Sequence, residues 1–241
     1  MNVEEYIDWD RFILETKEAS GVEYSEKSTH PEHKGLTIGG KLPVSISEYE
    51  FNHIKKVILE NGYKHGLDIA TGTCVGTIAA GIALKVTGGK LLSIDSYIEE
   101  SGQSQFIGKG YSDVNGNDFF SRSNNIIKCL GLDKVVSLRN GWFPKDFSEE
   151  YIISEVSGRV DYVLLDCPKD ENDFNYMIRP IKNVLCQDNY SIFVHDTHGY
   201  VPGFIRIVKE VFGYDPIFLT EFECGDKSAH QKFPMALITN K

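Results

Sequence analysis

From Ser47 onward the chain alternates short apolar runs with segments whose apolar residues recur at helical spacing. That alternation limits its fold more than any other feature. Ser47-Glu48-Tyr49-Glu50 is a capping-box pattern, and Phe51, Ile54, Val57 and Ile58 follow at helical spacing up to Gly62. A strand at Gly66–Ala70, a Gly/Thr turn, a small-residue helix at Thr77–Val86 and a strand at Lys90–Asp95 come next. The pattern then predicts a helix at Asp118–Leu130, a strand at Val135–Arg139, a helix at Ser148–Val156 and a strand at Val160–Asp166, the last apolar enough for burial on both faces. Beyond these lie a helix at Phe174–Cys186 that Pro180 should kink, a strand at Tyr190–His195, and a helix opened by Pro202. Two final strands, Pro216–Phe222 and Phe233–Thr239, have no helix between them.

Strands separated by helices must run parallel, with the helices on both faces of the sheet. The expected fold class is therefore α/β: a doubly wound, mostly parallel sheet of seven strands closed by an antiparallel C-terminal hairpin at its edge. The expected domains are residues 47–241 as one sheet domain and residues 1–46 as an N-terminal cap or lid, with an amphipathic helix near Val3–Ala19 and a polar stretch holding His30, Pro31, His33 and Lys34. At 241 residues the chain buries a full core without disulfides or a structural metal.

Charge and composition narrow the partners. Lys and Arg number 25 against 35 Asp and Glu, a formal net charge of -10, so the basic footprint of a nucleic-acid binder is missing. The longest nearly uncharged apolar stretch, Thr77–Val86, is half a membrane span and contains Lys85. The first residues, MNVEEYIDWD, are acidic and carry no apolar signal core. Five scattered cysteines (Cys74, Cys129, Cys167, Cys186, Cys224) form no C-x-x-C pair and read as reduced thiols. The expectation is a cytoplasmic protein that engages neither nucleic acid nor membrane, with a homodimer as an open option.

In an open parallel sheet, ligands bind outside the carboxyl ends of the strands. The five parallel strands end in Asp68-Ile69-Ala70-Thr71-Gly72-Thr73-Cys74-Val75-Gly76, in Asp95, in Asn140-Gly141-Trp142, in Asp166, and in His195-Asp196-Thr197-His198. Four of the five thus carry an acid at or near the carboxyl end, and helix capping would account for only one or two of these. Gly72 and Gly76 allow a close backbone approach where a helix begins with free N–H groups. Asp95 lies 23 positions after Gly72, where an acid accepts hydrogen bonds from ribose hydroxyls of nucleotide-type cofactors. The dinucleotide fingerprint fits poorly, because Ala70 and Val75 stand at two of its three glycine positions. The polar stretch Ser96–Asn117, with Phe106 and Tyr111, is a candidate lid or a plain surface loop.

Taken in order, GLDIATGTCVGTIAA, SID, RNGWF, VLLD and FVHDT resemble the successive motifs of the class I S-adenosylmethionine-dependent methyltransferases, whose fold is Rossmann-like. The match is best to the small-molecule O-methyltransferase branch, including catechol-type, macrocin-type and cephalosporin-hydroxylase-like families, and it spans Pro43 to Pro202. The resemblance implies that Asp68 and the backbone at Ala70, Thr71 and Gly72 hold the methionine end of the cofactor, that Asp95 and Ser96 bind the ribose, that Gly141 and Trp142 flank the adenine, and that Asp166 lies near the reactive methyl. Ala70 and Cys74 depart from the family's E/D-x-G-x-G-x-G.

The metal-dependent members of that branch imply Mg²⁺ or Mn²⁺ held by Asp166, Asp196 and either His195 or Thr197, binding the acceptor oxygens. Without a metal, His195 or His198 is the candidate general base. Trp142 reads equally as plain core, and Cys167 as packing. Asp166-Cys167-Pro168-Lys169-Asp170 resembles the D-x-x-K-D stretch of catechol-type enzymes, where the lysine is a base; a solvated loop lysine is the competing reading of Lys169. The expected function is methyl transfer to an oxygen of a small polar molecule, such as a sugar or natural-product intermediate. Three rivals stay open: a NAD(P)-dependent oxidoreductase, a catalytically silent partner protein, and a hydroxylase-like activity.

Overall fold

A computed structural model describes residues 24–25, 37–38, 42–43, 46, 48–70, 72, 74–96, 119–166, 168, 170–195, 201–219 and 235–240. The predicted alternation is present as β1 (His65–Ile69), β2 (Lys90–Asp95), β3 (Val136–Asn140), β4 (Tyr162–Leu165), β5 (Ser191–Val194), β6 (Ile217–Leu219) and β7 (Met235–Thr239). Helices α1 (Glu48–Asn61), α2 (Val75–Thr87), α3 (Phe119–Cys129), α4 (Glu149–Glu155), α5 (Glu171–Val184) and α6 (Val201–Phe212) accompany them. The seven strands form one sheet in the order β3-β2-β1-β4-β5-β7-β6. The first five are parallel, and β7 runs antiparallel to both β5 and β6, which closes the predicted hairpin on the sheet's edge. From β1 the chain steps outward to β2 and β3, then returns to place β4 on the other side of β1, so the switch point lies between β1 and β4.

Two apolar layers hold the sheet. On one face α1, α2 and α3 pack Phe51, Ile54, Ile58, Ile78 and Ile126 against Tyr162, Leu164 and Phe193. On the other, α4, α5 and α6 pack Ile152, Phe174, Ile178, Phe204 and Val208 against Leu67, Val163 and Ile192. The strands alternate sides, so each strand feeds both layers. Helix α2 is buried along its whole run from Val75 to Leu84, and its small residues permit that: a Cβ on Gly76 would lie 2.3 Å from Leu164 Cδ2. Helix α1 also buries two charged side chains, Glu50 at 6% and Lys55 at 0% exposure, the latter with Nζ 5.0 Å from the Phe51 ring centre.

Some boundaries shift for local reasons. Helix α5 starts three residues before the predicted Phe174, because the Asp170 carboxylate accepts the Asn172 and Asp173 N–H groups and caps it there; the helix runs through Pro180. The strand expected over Val160–Asp166 is β4 with an isolated bridge from Val160 to Leu185. Within residues 1–46, a three-stranded antiparallel sheet (Tyr24–Ser25, Thr37–Ile38, Leu42–Pro43) includes part of the stretch read as merely polar. The helix predicted at Val3–Ala19, and the histidines His30 and His33, lie outside the described residues. Among the described residues, no helix is long and apolar enough to cross a membrane.

Candidate functional site

Register brings the acids together. Asp68 pairs with Ser93 of β2 and Leu164 of β4, and Leu165 pairs with Val194 of β5. One residue beyond the strands, the ladder continues: Ala70 N–H donates to Ile94 O at 2.8 Å, Asp166 N–H to Ile69 O at 3.1 Å and His195 N–H to Leu165 O at 2.9 Å. Side chains two apart share a face, so Asp95 follows Ser93, Asp166 follows Leu164 and His195 follows Phe193. Leu164 and Phe193 pack under α1 and α2. Asp68, Asp95, Asp166 and His195 therefore stand on the α1/α2 side of the sheet, at its carboxyl edge, on either side of the switch point.

Asp68 is 1% exposed, and burial pushes its carboxyl up to about 7 against the opposing pull of its hydrogen bonds from Thr77 and Ser93. Its Oδ2 accepts the Thr77 hydroxyl and, at 2.9 Å, the Ser93 hydroxyl. Its Oδ1 is buried and has no hydrogen-bond partner among the described residues. Such an atom costs free energy that the fold recovers only if something donates to it.

The turn after β1 is strained. Ala70 has φ 70°, Gly72 φ 48° and Cys74 φ 67°, three left-handed residues at alternate positions. These are the three glycine positions of the E/D-x-G-x-G-x-G pattern that the sequence resembles, so the cost of Ala70 and Cys74 is backbone strain, on the order of 1–2 kcal/mol each. Gly72 N–H donates to Asp95 Oδ2 at 2.9 Å, so Asp95 also anchors the turn. Cys74 occupies the N-cap of α2 and makes no side-chain cap hydrogen bond. Its thiol is fully buried, and burial drives its pKa upward.

Past β3, Trp142 is 40% exposed rather than core, and its N–H donates to Asp146 Oδ2 at 2.8 Å. A Cβ on Gly141 would lie 2.8 Å from the Phe147 ring, so packing within the loop already requires that glycine. Ser96 follows Asp95 directly and is half-buried.

His195 is 2% exposed and sits between two carboxylates. Its Nδ1 lies 3.0 Å from Asp166 Oδ1 and its Nε2 lies 3.4 Å from Glu50 Oε1 on α1. The described residues give the expected metal centre no support. Two of the three expected ligands, Asp166 and His195, lie in contact, the third, Asp196, lies outside the described residues, and no group of three His, Cys, Asp or Glu among the described residues could hold an ion. Asp196, Thr71, Lys169, Cys167 and His198 lie outside the described residues, as does the candidate lid beyond Ser96. Asp170 is the helix cap described above. Glu50 is the site residue that the sequence concealed. The capping-box pattern accounted for it, yet its position four before Ile54 puts an acid on the apolar stripe of α1.

No family model matches the chain, and no curated protein matches it. Its fold is found in solved structures. An O-methyltransferase from Bacillus cereus, in complex with S-adenosylhomocysteine, aligns with TM-score 0.56 at 15% identity over 82% of this chain and 84% of that one. The O-methyltransferase TomG from Streptomyces achromogenes, involved in tomaymycin synthesis and in complex with S-adenosylmethionine, aligns with TM-score 0.52 at 13% identity over 82% and 83%. A precorrin-6y C5,15-methyltransferase from Geobacter metallireducens aligns with TM-score 0.51 at 12% identity over 81% and 89%. The chain thus has the α/β, mostly parallel seven-stranded fold of these S-adenosylmethionine-type methyltransferases.

Proposed function

We propose that the protein is an S-adenosylmethionine-dependent methyltransferase that methylates an oxygen of a small polar molecule, such as a sugar or natural-product intermediate. The observation that carries this reading is Asp68 Oδ1: a buried carboxylate oxygen at the switch point, with no donor among the described residues, beside a helix whose N-cap residue, Cys74, makes no side-chain cap. An ammonium group, such as the one at the methionine end of the cofactor, supplies the missing donor and favours the ionised carboxylate. Asp95, which accepts the Gly72 N–H, is in this reading the acceptor for the ribose hydroxyls.

When bound, the cofactor supplies an electrophilic methyl group on a sulfonium. The chain's part is to position the acceptor and to take its proton. Asp166 lies across the switch point from Asp68, and with its side chain 12% exposed it is more open than His195 at 2%. A hydroxyl held beside that carboxylate would pass its proton to it. The paired Asp166 and His195 suit an oxygen nucleophile, and the net charge of -10 disfavours a nucleic-acid acceptor.

Calorimetric titration with S-adenosylhomocysteine tests the reading. Binding is expected; no binding, with NAD binding in its place, would overturn it in favour of the oxidoreductase. Release of S-adenosylhomocysteine from S-adenosylmethionine, screened against sugars and phenols, then identifies the acceptor, and tight binding with no turnover on any of them would favour the silent partner.

A further inference from the structure

Glu50, His195 and Asp166 come from three different elements and meet edge to edge. Glu50 projects from the first turn of α1, His195 ends β5, and Asp166 ends β4. Burying an acid at 6% exposure beside a histidine at 2% is costly unless the two are paired. The core does not call for an acid at this position, since Phe51, Ile54 and Ile58 already seal α1 against the sheet.

The geometry puts one carboxylate at each ring nitrogen, Asp166 at Nδ1 and Glu50 at Nε2. Both contacts are ion-pair distances and neither has hydrogen-bond geometry, so what fixes the ring is a carboxylate on each side of it, and turning it about its bond to the backbone would take a nitrogen away from each. Nor can the ring offer a lone pair to a divalent ion without giving one of them up. We propose that Glu50 is a positioning residue of the methyl-transfer site. It clamps His195, and His195 in turn orients the Asp166 carboxylate toward the acceptor, in the place where a metal would otherwise do so. This inference rests on the cofactor reading above. Asp166 is the group that faces substrate, and Glu50 acts only through His195, as an outer residue that orients an inner one.

The test follows the cofactor and the ring separately. With bound S-adenosylmethionine carrying a ¹³C methyl group, Asp166→Asn is expected to move the methyl carbon's chemical shift. Glu50→Gln should move it in the same direction, and Glu50→Asp should bring it back toward the unsubstituted protein. S-adenosylhomocysteine affinity should stay unchanged in both Glu50 variants. In protein labelled with ¹⁵N at its histidine rings, added Mn²⁺ should leave the His195 signals sharp. A methyl shift that moves in Asp166→Asn but not in Glu50→Gln overturns the positioning role, because a purely structural Glu50 would alter only thermal stability. Mn²⁺ broadening of the His195 ring overturns it as well. Should Glu50→Gln fail to fold, the Glu50→Asp variant and the Mn²⁺ titration of the unsubstituted protein still decide. Failure of the unsubstituted protein to bind S-adenosylhomocysteine would instead strike the cofactor reading, while the Mn²⁺ arm would still report whether His195 is held.

Discussion

Replacing Asp68 with Asn should make the protein more stable and less able to bind S-adenosylhomocysteine. In the folded chain the carboxyl is pushed up to about 7 from an ordinary value of 3.8, chiefly by burial. Between those values the unfolded chain has released the proton and the folded chain still holds it. The group's contribution to stability is therefore full below the lower value and is lost as pH rises through the upper one. At about 1.36 kcal/mol per unit, a gap of roughly three units costs the folded state on the order of 4 kcal/mol once the pH exceeds the upper value. About 2–3 kcal/mol of that falls between about pH 5 and about pH 8. Asn keeps the shape, and its amide can meet the Thr77 and Ser93 hydroxyls, but it never ionises. Urea denaturation of both proteins at the two pH values gives the difference directly, because every other titrating group cancels in the subtraction. The advantage of Asp68→Asn over the parent should grow by about 2–3 kcal/mol from the acidic to the alkaline condition. A difference that stays flat to within about 0.5 kcal/mol refutes the raised carboxyl and, with it, the argument that a buried oxygen is kept unpartnered for a ligand. The same variant should lose S-adenosylhomocysteine affinity. In the parent that affinity should strengthen from acidic to neutral pH, because the ligand's ammonium binds the ionised form.

Three further outcomes follow from the same geometry. Ala70→Gly relieves a φ of 70°, a strain of about 1–2 kcal/mol against roughly 0.5–1 kcal/mol of extra unfolded-chain freedom; calorimetry should show Tm raised by about 2–3 °C, whereas Ala70→Val should lower it. Asp95→Ala removes the expected ribose acceptor and the anchor of Gly72 together, and loss of a charged hydrogen bond at about 1.5–3 kcal/mol should weaken S-adenosylhomocysteine by about tenfold or more; an unchanged Kd in titration calorimetry would sink the assignment. Gly76→Ala sets a Cβ 2.3 Å from Leu164 Cδ2 and should cost about 1–3 kcal/mol in urea unfolding, and a neutral result would mean that α2 is free to move off β4.

Much of this site can be read along the chain, because a parallel sheet delivers its strand ends to one edge whatever the loops do. The order of Asp68, Asp95 and Asp166 at the ends of successive apolar runs is enough to place them on that edge. Period-two alternation puts Asp95 on the face of Ser93 and Asp166 on the face of Leu164, and the register of β2 and β4 on β1 makes these one face. The metal reading finds no support among the described residues, and the contact that stands there instead is one that spacing does not encode. The sequence puts Asp166 and His195 at the ends of neighbouring apolar runs, but their distance from one another, 3.0 Å, depends on how β4 and β5 meet. Glu50 is hidden in the sequence for a related reason: a capping box explains a Glu at that position, and only the docking of α1 shows it buried at 6% exposure.

The sequence by itself determined the parallel α/β sheet, its edge hairpin and the set of acids at its carboxyl edge, because those follow from periodicity and from where strands stop. Tertiary structure alone decided how those acids are spent. It left Asp68 Oδ1 without a donor among the described residues, bound Asp95 to Gly72, and closed Glu50 and Asp166 on the two nitrogens of His195. Hydrogen bonds and ion pairs form or fail within a few tenths of an ångström, and only the docking of α1 and α2 onto β1, β4 and β5 sets distances that finely.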